Sequence, residues 1–171
     1  MKTYLLIFLI APLTLSQWQV GASYKIKSDV PENGIGFFLS RNLPVQRADF
    51  GLKVRAEINL FRQNENKINY LSEDYNLNAI GSLFFKNFTP YFGFGAGYGE
   101  LNINHFNWQG FVFNLLTGIN FPISDFIKPY VEIQGIKYFA DFDSRLTGKN
   151  ISTYQFRGVI GISISINTLK D

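Results

Sequence analysis

The chain has 171 residues, no cysteine, and 16 Lys and Arg against 13 Asp and Glu, for a formal net charge of +3 at pH 7. That length fits one domain. The missing thiols exclude a disulfide framework and thiol catalysis and argue against a structural zinc centre, and charges this evenly scattered give no basic stripe of the kind nucleic acid needs.

The first sixteen residues stand apart. Met1 and Lys2 make a minimal positive start, residues 4–13 are an apolar core broken only by Pro12, and Thr14-Leu15-Ser16 places small residues ahead of a cut before Gln17. This is the layout of a secretory signal peptide, too short for a helical span of about 20 residues. The expected organisation is a cleavable signal peptide over 1–16 and a single domain over 17–171. No cysteine follows the apolar core, which excludes lipoprotein processing.

The rest of the chain reads as eight strands, because side chains alternate between the two faces of a strand and apolar residues here recur at every second position. The first, 18–26, sets Trp18, Val20, Ala22, Tyr24 and Ile26 against Gln19, Gly21, Ser23 and Lys25. The second, 35–41, has Ile35, Phe37 and Leu39 on its apolar face, with Phe38 spoiling the alternation. The third, 50–61, is the clearest: Phe50, Leu52, Val54, Ala56, Ile58 and Leu60 oppose Gly51, Lys53, Arg55, Glu57 and Asn59. The fourth, 75–85, sets Tyr75, Leu77, Ala79, Leu83 and Phe85 against Asn76, Asn78, Ile80, Ser82 and Phe84. The fifth, 91–101, opposes Phe92, Phe94, Ala96 and Tyr98 to Gly93, Gly95, Gly97 and Gly99.

In the sixth strand, 109–121, the apolar row is Phe111, Phe113, Leu115, Thr117, Ile119 and Phe121. The seventh, 126–139, sets Ile127, Val131 and Ile133 against Lys128, Tyr130, Glu132, Gln134 and Tyr138. The eighth, 154–166, sets Tyr154, Phe156, Ile160, Ile162, Ile164 and Ile166 against Gln155, Arg157, Gly161, Ser163 and Ser165.

Connections at 27–33, 62–74, 102–108 and 140–152 read as long and polar, whereas 43–47, 87–90 and 122–125 read as tight and contain Pro. An even strand count with long loops at one end and short turns at the other is the plan of an outer-membrane barrel, with the apolar row outward and the charged row inside. Outward aromatics collect at strand ends: Trp18, Phe50, Phe85, Phe92 and Phe121 toward the short turns, and Tyr24, Tyr75, Tyr98, Phe111 and Tyr154 toward the long loops. Rings with a polar tip favour the headgroup zone, so these predict two aromatic girdles.

The run Pro90-Tyr91-Phe92-Gly93-Phe94-Gly95-Ala96-Gly97-Tyr98-Gly99 and the later Pro129-Tyr130-Val131-Glu132, set among eight amphipathic strands behind a signal peptide, resemble the small outer-membrane β-barrel family of the OmpX and OmpA transmembrane-domain type, the porin-like outer membrane protein β-barrel group. The resemblance implies an all-β, eight-stranded antiparallel up-and-down transmembrane barrel. It also implies a monomer in the outer membrane of a Gram-negative bacterium, with membrane lipids and the barrel-assembly machinery as partners. One departure stands out. Such barrels commonly end in an aromatic residue, and this chain ends Asn167-Thr168-Leu169-Lys170-Asp171, leaving the isoleucine row of 160–166 as the substitute assembly signal.

The inward row holds Lys25, Lys53, Arg55, Glu57, Lys86, Lys128, Glu132 and Arg157. An eight-stranded barrel is only wide enough for side chains to fill it, and isolated buried charges are costly. Glu57 and Glu132 are therefore expected to lie among Arg55, Arg157 and one or more lysines, as a structural polar core rather than a narrow ion path. The glycines of the fifth strand are spaced by two, unlike a phosphate-binding loop. They leave room for a neighbouring aromatic or a bend.

His105, the sole histidine, lies between Phe106 and the 102–104 stretch with no serine near it, and reads as a solvated loop residue. No catalytic residue, metal ligand or cofactor is expected. Two tripeptides, Asn87-Phe88-Thr89 and Asn150-Ile151-Ser152, match the glycosylation acceptor pattern, a coincidence in a bacterial protein. The leading function is a structural or surface-interacting membrane barrel, with 62–74 and 140–152 as contact loops. The alternatives are an exported, soluble lipocalin-like barrel with the faces reversed and an apolar ligand inside, and an outer-membrane lipid-modifying enzyme.

Overall fold

The computed structural model describes residues 18–28, 32–47, 49–65, 68–104, 106–139 and 154–166. Eight strands follow one another in the chain: β1 (Trp18–Lys27), β2 (Asn33–Arg47), β3 (Phe50–Glu65), β4 (Ile68–Leu83), β5 (Thr89–Ile103), β6 (Phe106–Asn120), β7 (Ile127–Tyr138) and β8 (Tyr154–Ile166). Each pairs antiparallel with the next, and β8 returns to β1, from Trp18 opposite Ile166 to Lys27 opposite Arg157. The sheet is a closed up-and-down barrel without an edge over that length, so its backbone donors and acceptors are satisfied by the ladder itself. The signal peptide, His105, the 140–152 loop and the final residues lie outside the described residues.

Several strands run further than the sequence pattern predicts. The stretch 62–74 is not a loop: β3 continues to Glu65, β4 begins at Ile68, and the pairing persists through Arg62–Leu71 and Asn64–Asn69. Above Leu60 the outward row of β3 becomes polar, with Arg62 and Asn64, while the inward rows of β3 and β4 keep Phe61 and Tyr70, both buried. A ladder needs no amphipathic contrast to continue, but its absence hides the strand from pattern reading. Likewise 43–47 belongs to β2, after a register shift between Asn42 and Gln46. The 102–108 connection shrinks to a tight turn with Asn104 at φ 52°, a left-handed conformation that Asn tolerates. Its amide donates to the Asn69 carbonyl (3.2 Å), and its side-chain oxygen accepts from the Asn69 amide (3.0 Å).

Phe38 keeps the alternation after all. Its ring points into the bore, edge-on to Tyr130 at 5.9 Å, in space that a Cβ on Gly21 across the β1–β2 ladder would occupy. The β5 glycines do the same for their neighbours. Asn78 fills the space over Gly95, Ile80 and Leu116 that over Gly93, and Tyr138 and Val112 that over Gly99. A Cβ on Gly97 would overlap the Tyr75 carbonyl oxygen and lie 2.6 Å from the Asn76 side-chain oxygen, whereas one on Gly158 meets nothing within 4 Å. Gly97→Ala is therefore expected to cost about 1–3 kcal/mol by overpacking, and Gly158→Ala far less. Urea unfolding of the two variants checks the contrast.

Candidate functional site: the bore and the outer wall

The bore is built from the inward rows, and its charges are joined across it. Lys25 on β1 pairs with Glu57 on β3, and its ammonium also donates to Gln134 Oε1 (3.2 Å). Arg55 reaches in two directions. Its guanidinium grips Glu132 on β7 through Nη1 to Oε2 (2.8 Å) and Nη2 to Oε1 (3.0 Å), and Nη2 lies 3.0 Å from Glu57 Oε2. Tyr91 donates to Glu132 Oε2 (2.8 Å), and Gln134 Nε2 donates to Glu132 Oε1 (2.6 Å). Two carboxylates, two cations, an amide and a phenol thus tie β1, β3, β5 and β7 together. Hydrogen bonds to the carboxylates on several sides are what make buried ion pairs tolerable.

A second group is centred on Asp74. Its Oδ2 lies 2.6 Å from Arg157 Nη2, and its Oδ1 accepts from Asn59 and Asn76, both at 2.6 Å. Arg157 also donates to the Tyr138 hydroxyl (2.8 Å) and lies against the Phe61 ring (4.6 Å to its centroid). The expectation that Arg157 joins Glu57 and Glu132 is thus corrected: its carboxylate is Asp74, which sequence reading placed in a loop. The signal was available in parity, since Asp74 shares the even-numbered row of Asn76 and Asn78. Lys86 is also corrected, because it is exposed in the turn between β4 and β5 and outside the bore. Lys53 and Lys128 do face the bore and have no carboxylate partner among the described residues. The Lys53 ammonium rests over the Tyr91 ring at 5.1 Å.

Apolar plugs separate these polar layers. Ile80, Tyr91 and Leu116 form one, Val112, Ile136 and Tyr138 another, and Tyr70, Leu101 and Ile103 a third at the hairpin end.

The outer wall is the reverse. Leu77, Phe92, Phe94, Leu115, Ile133, Phe156 and Ile160 are all more than half exposed. A lipocalin-like arrangement needs this row inside and the charges outside, so that alternative is discarded. The aromatic residues singled out for the girdles, Tyr24, Tyr75, Phe92, Tyr98, Phe111, Phe121 and Tyr154, all point outward and are exposed. Trp18 is half-buried beside the Arg41 guanidinium (5.3 Å). Three tyrosines donate to nearby polar side chains: Tyr24 to Asn33 (2.9 Å), Tyr75 to Glu73 (2.8 Å) and Tyr98 to Gln109 (2.6 Å).

Solved structures share this architecture at low identity. Neisserial surface protein A is 10% identical over 88% of this chain and 96% of its own, with a TM-score of 0.58. The attachment invasion locus protein Ail of Yersinia pestis, solved with the heparin analogue sucrose octasulfate, is 12% identical over 88% and 97%, with a TM-score of 0.60. The fold is that of the small outer-membrane β-barrels. The outer membrane enzyme PagL shares it too, at 13% identity over 86% of this chain and 99% of its own and a TM-score of 0.53. The fold alone therefore does not separate enzymes from non-enzymes. No family model matches the chain, and no curated protein does.

Removing one member of a buried ion network strands its partners, at a cost of about 3–5 kcal/mol. Glu57→Ala is expected to lose stability on that scale, because Lys25 and Arg55 both depend on it. Asp74→Ala should do the same, and Asp74→Ala with Arg157→Met should recover part of the loss. Equilibrium urea unfolding in detergent micelles measures all three, and wild-type stability of Glu57→Ala would refute the network.

Proposed function

We propose that the protein is an integral outer-membrane barrel of a Gram-negative bacterium, exported through a signal peptide over 1–16, with its apolar wall in lipid and its bore closed to solutes. The observation that carries this reading is the sidedness of the wall: exposed Leu, Ile and Phe outside, hydrogen-bonded charges within. In water that arrangement is unfavourable, since so large an apolar surface favours association. In a bilayer it is the stable one. The strands, 10 to 16 residues long, suffice for a tilted crossing, which takes about 9–11.

The outward tyrosines and phenylalanines then sit at the two headgroup levels. The short connections at 84–88 and 121–126 face the periplasm. The β3–β4 and β5–β6 hairpins project on the opposite side, with Arg62, Asn64 and Asn69 exposed. The role is structural or surface-interacting, and the contact surface is this projecting end together with the 140–152 segment. A non-enzymatic role is supported by the buried carboxylates: Glu57, Asp74 and Glu132 are each held by Arg or Lys and by amides, leaving none poised as a general base.

Membrane fractionation followed by gel electrophoresis with and without boiling tests the placement. The protein is expected to need detergent for extraction and to change mobility on heating; release without detergent would overturn it. A point variant gives a second check. Leu115 is outward near the middle of β6, so Leu115→Arg should cost about 2–4 kcal/mol in a bilayer. At a water-exposed site the same change would be nearly neutral.

A further inference from the structure

Among the described residues, the charges of the bore do not balance. Lys25, Arg55 and Arg157 engage all three described inward carboxylates, Glu57, Glu132 and Asp74. Beyond these, Lys27 lies at the opposite end over the Phe61 ring, and Lys53 and Lys128 are left over at the short-turn end. Both lie toward the short-turn ends of their strands, and the ladder places them at the two ends of one arc. Lys128 on β7 is opposite Ser163 on β8, whose inward neighbour Ser165 is opposite Gln19 on β1. Gln19 is opposite Ser40 on β2, and Ser40 lies one inward step from Asn42, which is opposite Lys53 on β3. Five adjacent strands thus present Lys, Ser, Gln, Ser and Lys to the same mouth.

The arc is rich in donors and poor in acceptors. The hydroxyls of Ser40 and Ser165, 1% and 3% exposed, have no hydrogen-bond partner. Ser163 donates to the Lys128 carbonyl (3.1 Å). Lys53 and Lys128 repel each other, and Arg55 adds to the positive field at Lys53. Among the described residues, the carboxylates that act on them are Glu132, already held by Arg55, Tyr91 and Gln134, and Asp125, exposed in the β6–β7 turn. At this end Lys53 and Gln19 each keep 8% of their surface, whereas Lys25, Asp74, Asn78 and Gln134 keep none. An uncompensated ammonium group in a low-dielectric bore is unfavourable, and it is relieved either by loss of its proton or by an anion beside it.

We propose that the short-turn mouth of the bore is a binding site for a small tetrahedral oxyanion of the phosphate or sulfate class, held between Lys53 and Lys128 with the Ser40 and Ser165 hydroxyls as donors. The arc faces inward, so the anion comes from free solution and not from a lipid headgroup outside the wall. The site is separate from the surface-interacting role proposed above and does not depend on it.

The test is calorimetric titration of the full-length folded barrel with inorganic phosphate, in phospholipid-free nonionic detergent at constant ionic strength. The expected result is one saturable site per barrel. Lys53→Met and Lys128→Met should each weaken it at least tenfold, and Lys86→Met, in the exposed turn, should leave it unchanged. Thermal unfolding supplies a readout that does not need the variants to bind: phosphate should raise the wild-type midpoint, and Lys53→Met should raise it without phosphate and remove the phosphate response. Absence of saturable binding to the wild type overturns the proposal. So does an equal loss in Lys86→Met, which would mark surface adsorption, or binding that appears only when phospholipid is added.

Discussion

An eight-stranded cylinder has room for side chains and little else, and this constraint governs the whole molecule. Many of the large inward groups are matched by a glycine that gives way. Phe38 takes the space at Gly21, Asn78 that at Gly95, Tyr130 that at Gly161 and the Tyr91 hydroxyl that at Gly118. The glycines are therefore the complement of the large residues that cross the bore. The same crowding brings charges from distant strands together, so that Arg55 on β3 spans to Glu132 on β7 and Asp74 on β4 to Arg157 on β8. These struts link strands that share no ladder and brace a closed sheet across its own diameter.

Buried ion pairs of this kind add little net stability, because desolvation offsets their attraction. Their effect here is on register. Sliding one strand by a single residue exchanges its two faces. On β3 such a slip would turn Lys53, Arg55 and Glu57 outward and bring Leu52, Val54 and Ala56 into the polar bore. Both consequences are penalised in a membrane, and the stranded partners Lys25 and Glu132 add a third penalty. The sharp contrast between the two rows of β3 specifies the pairing more than it strengthens it.

That contrast also explains what was legible in the sequence. Eight strands, their order, and the inward placement of Lys25, Lys53, Arg55, Glu57, Lys128, Glu132 and Arg157 follow from period-two alternation, and β8 matches its predicted bounds. Reading failed where alternation fades. Arg62, Asn64 and Asn69 make the outward row polar at the top of β3 and β4, so strand resembled loop and Asp74 was lost with it. Phe38 looked like a fault because a bulky apolar side chain in a polar bore is intelligible only with Gly21 beside it. The choice of Asp74 over Glu57 or Glu132 as the partner of Arg157 depends on the stagger with which the sheet closes, a property of eight strands together that no single segment encodes.

The stacking of layers along the bore bears on permeation. Coming from the short-turn end, a hydrated ion passes Lys53 and Lys128 and then meets Tyr91, which packs with Ile80 and Leu116 and is bonded to Glu132. Beyond lies Arg55, in two contacts with Glu132 and a third with Glu57. Moving Arg55 aside would leave Glu57 and Glu132 without the guanidinium that bridges them, in a medium that screens poorly. A wider barrel could admit water to screen them, but here the space is already taken by Gln134, Asn78 and Asn114, all fully buried. Closure of the bore is thus enforced electrostatically as well as sterically: the side chains that obstruct it are the same ones that neutralise each other, and no single group can swing away without exposing the charge of its partner.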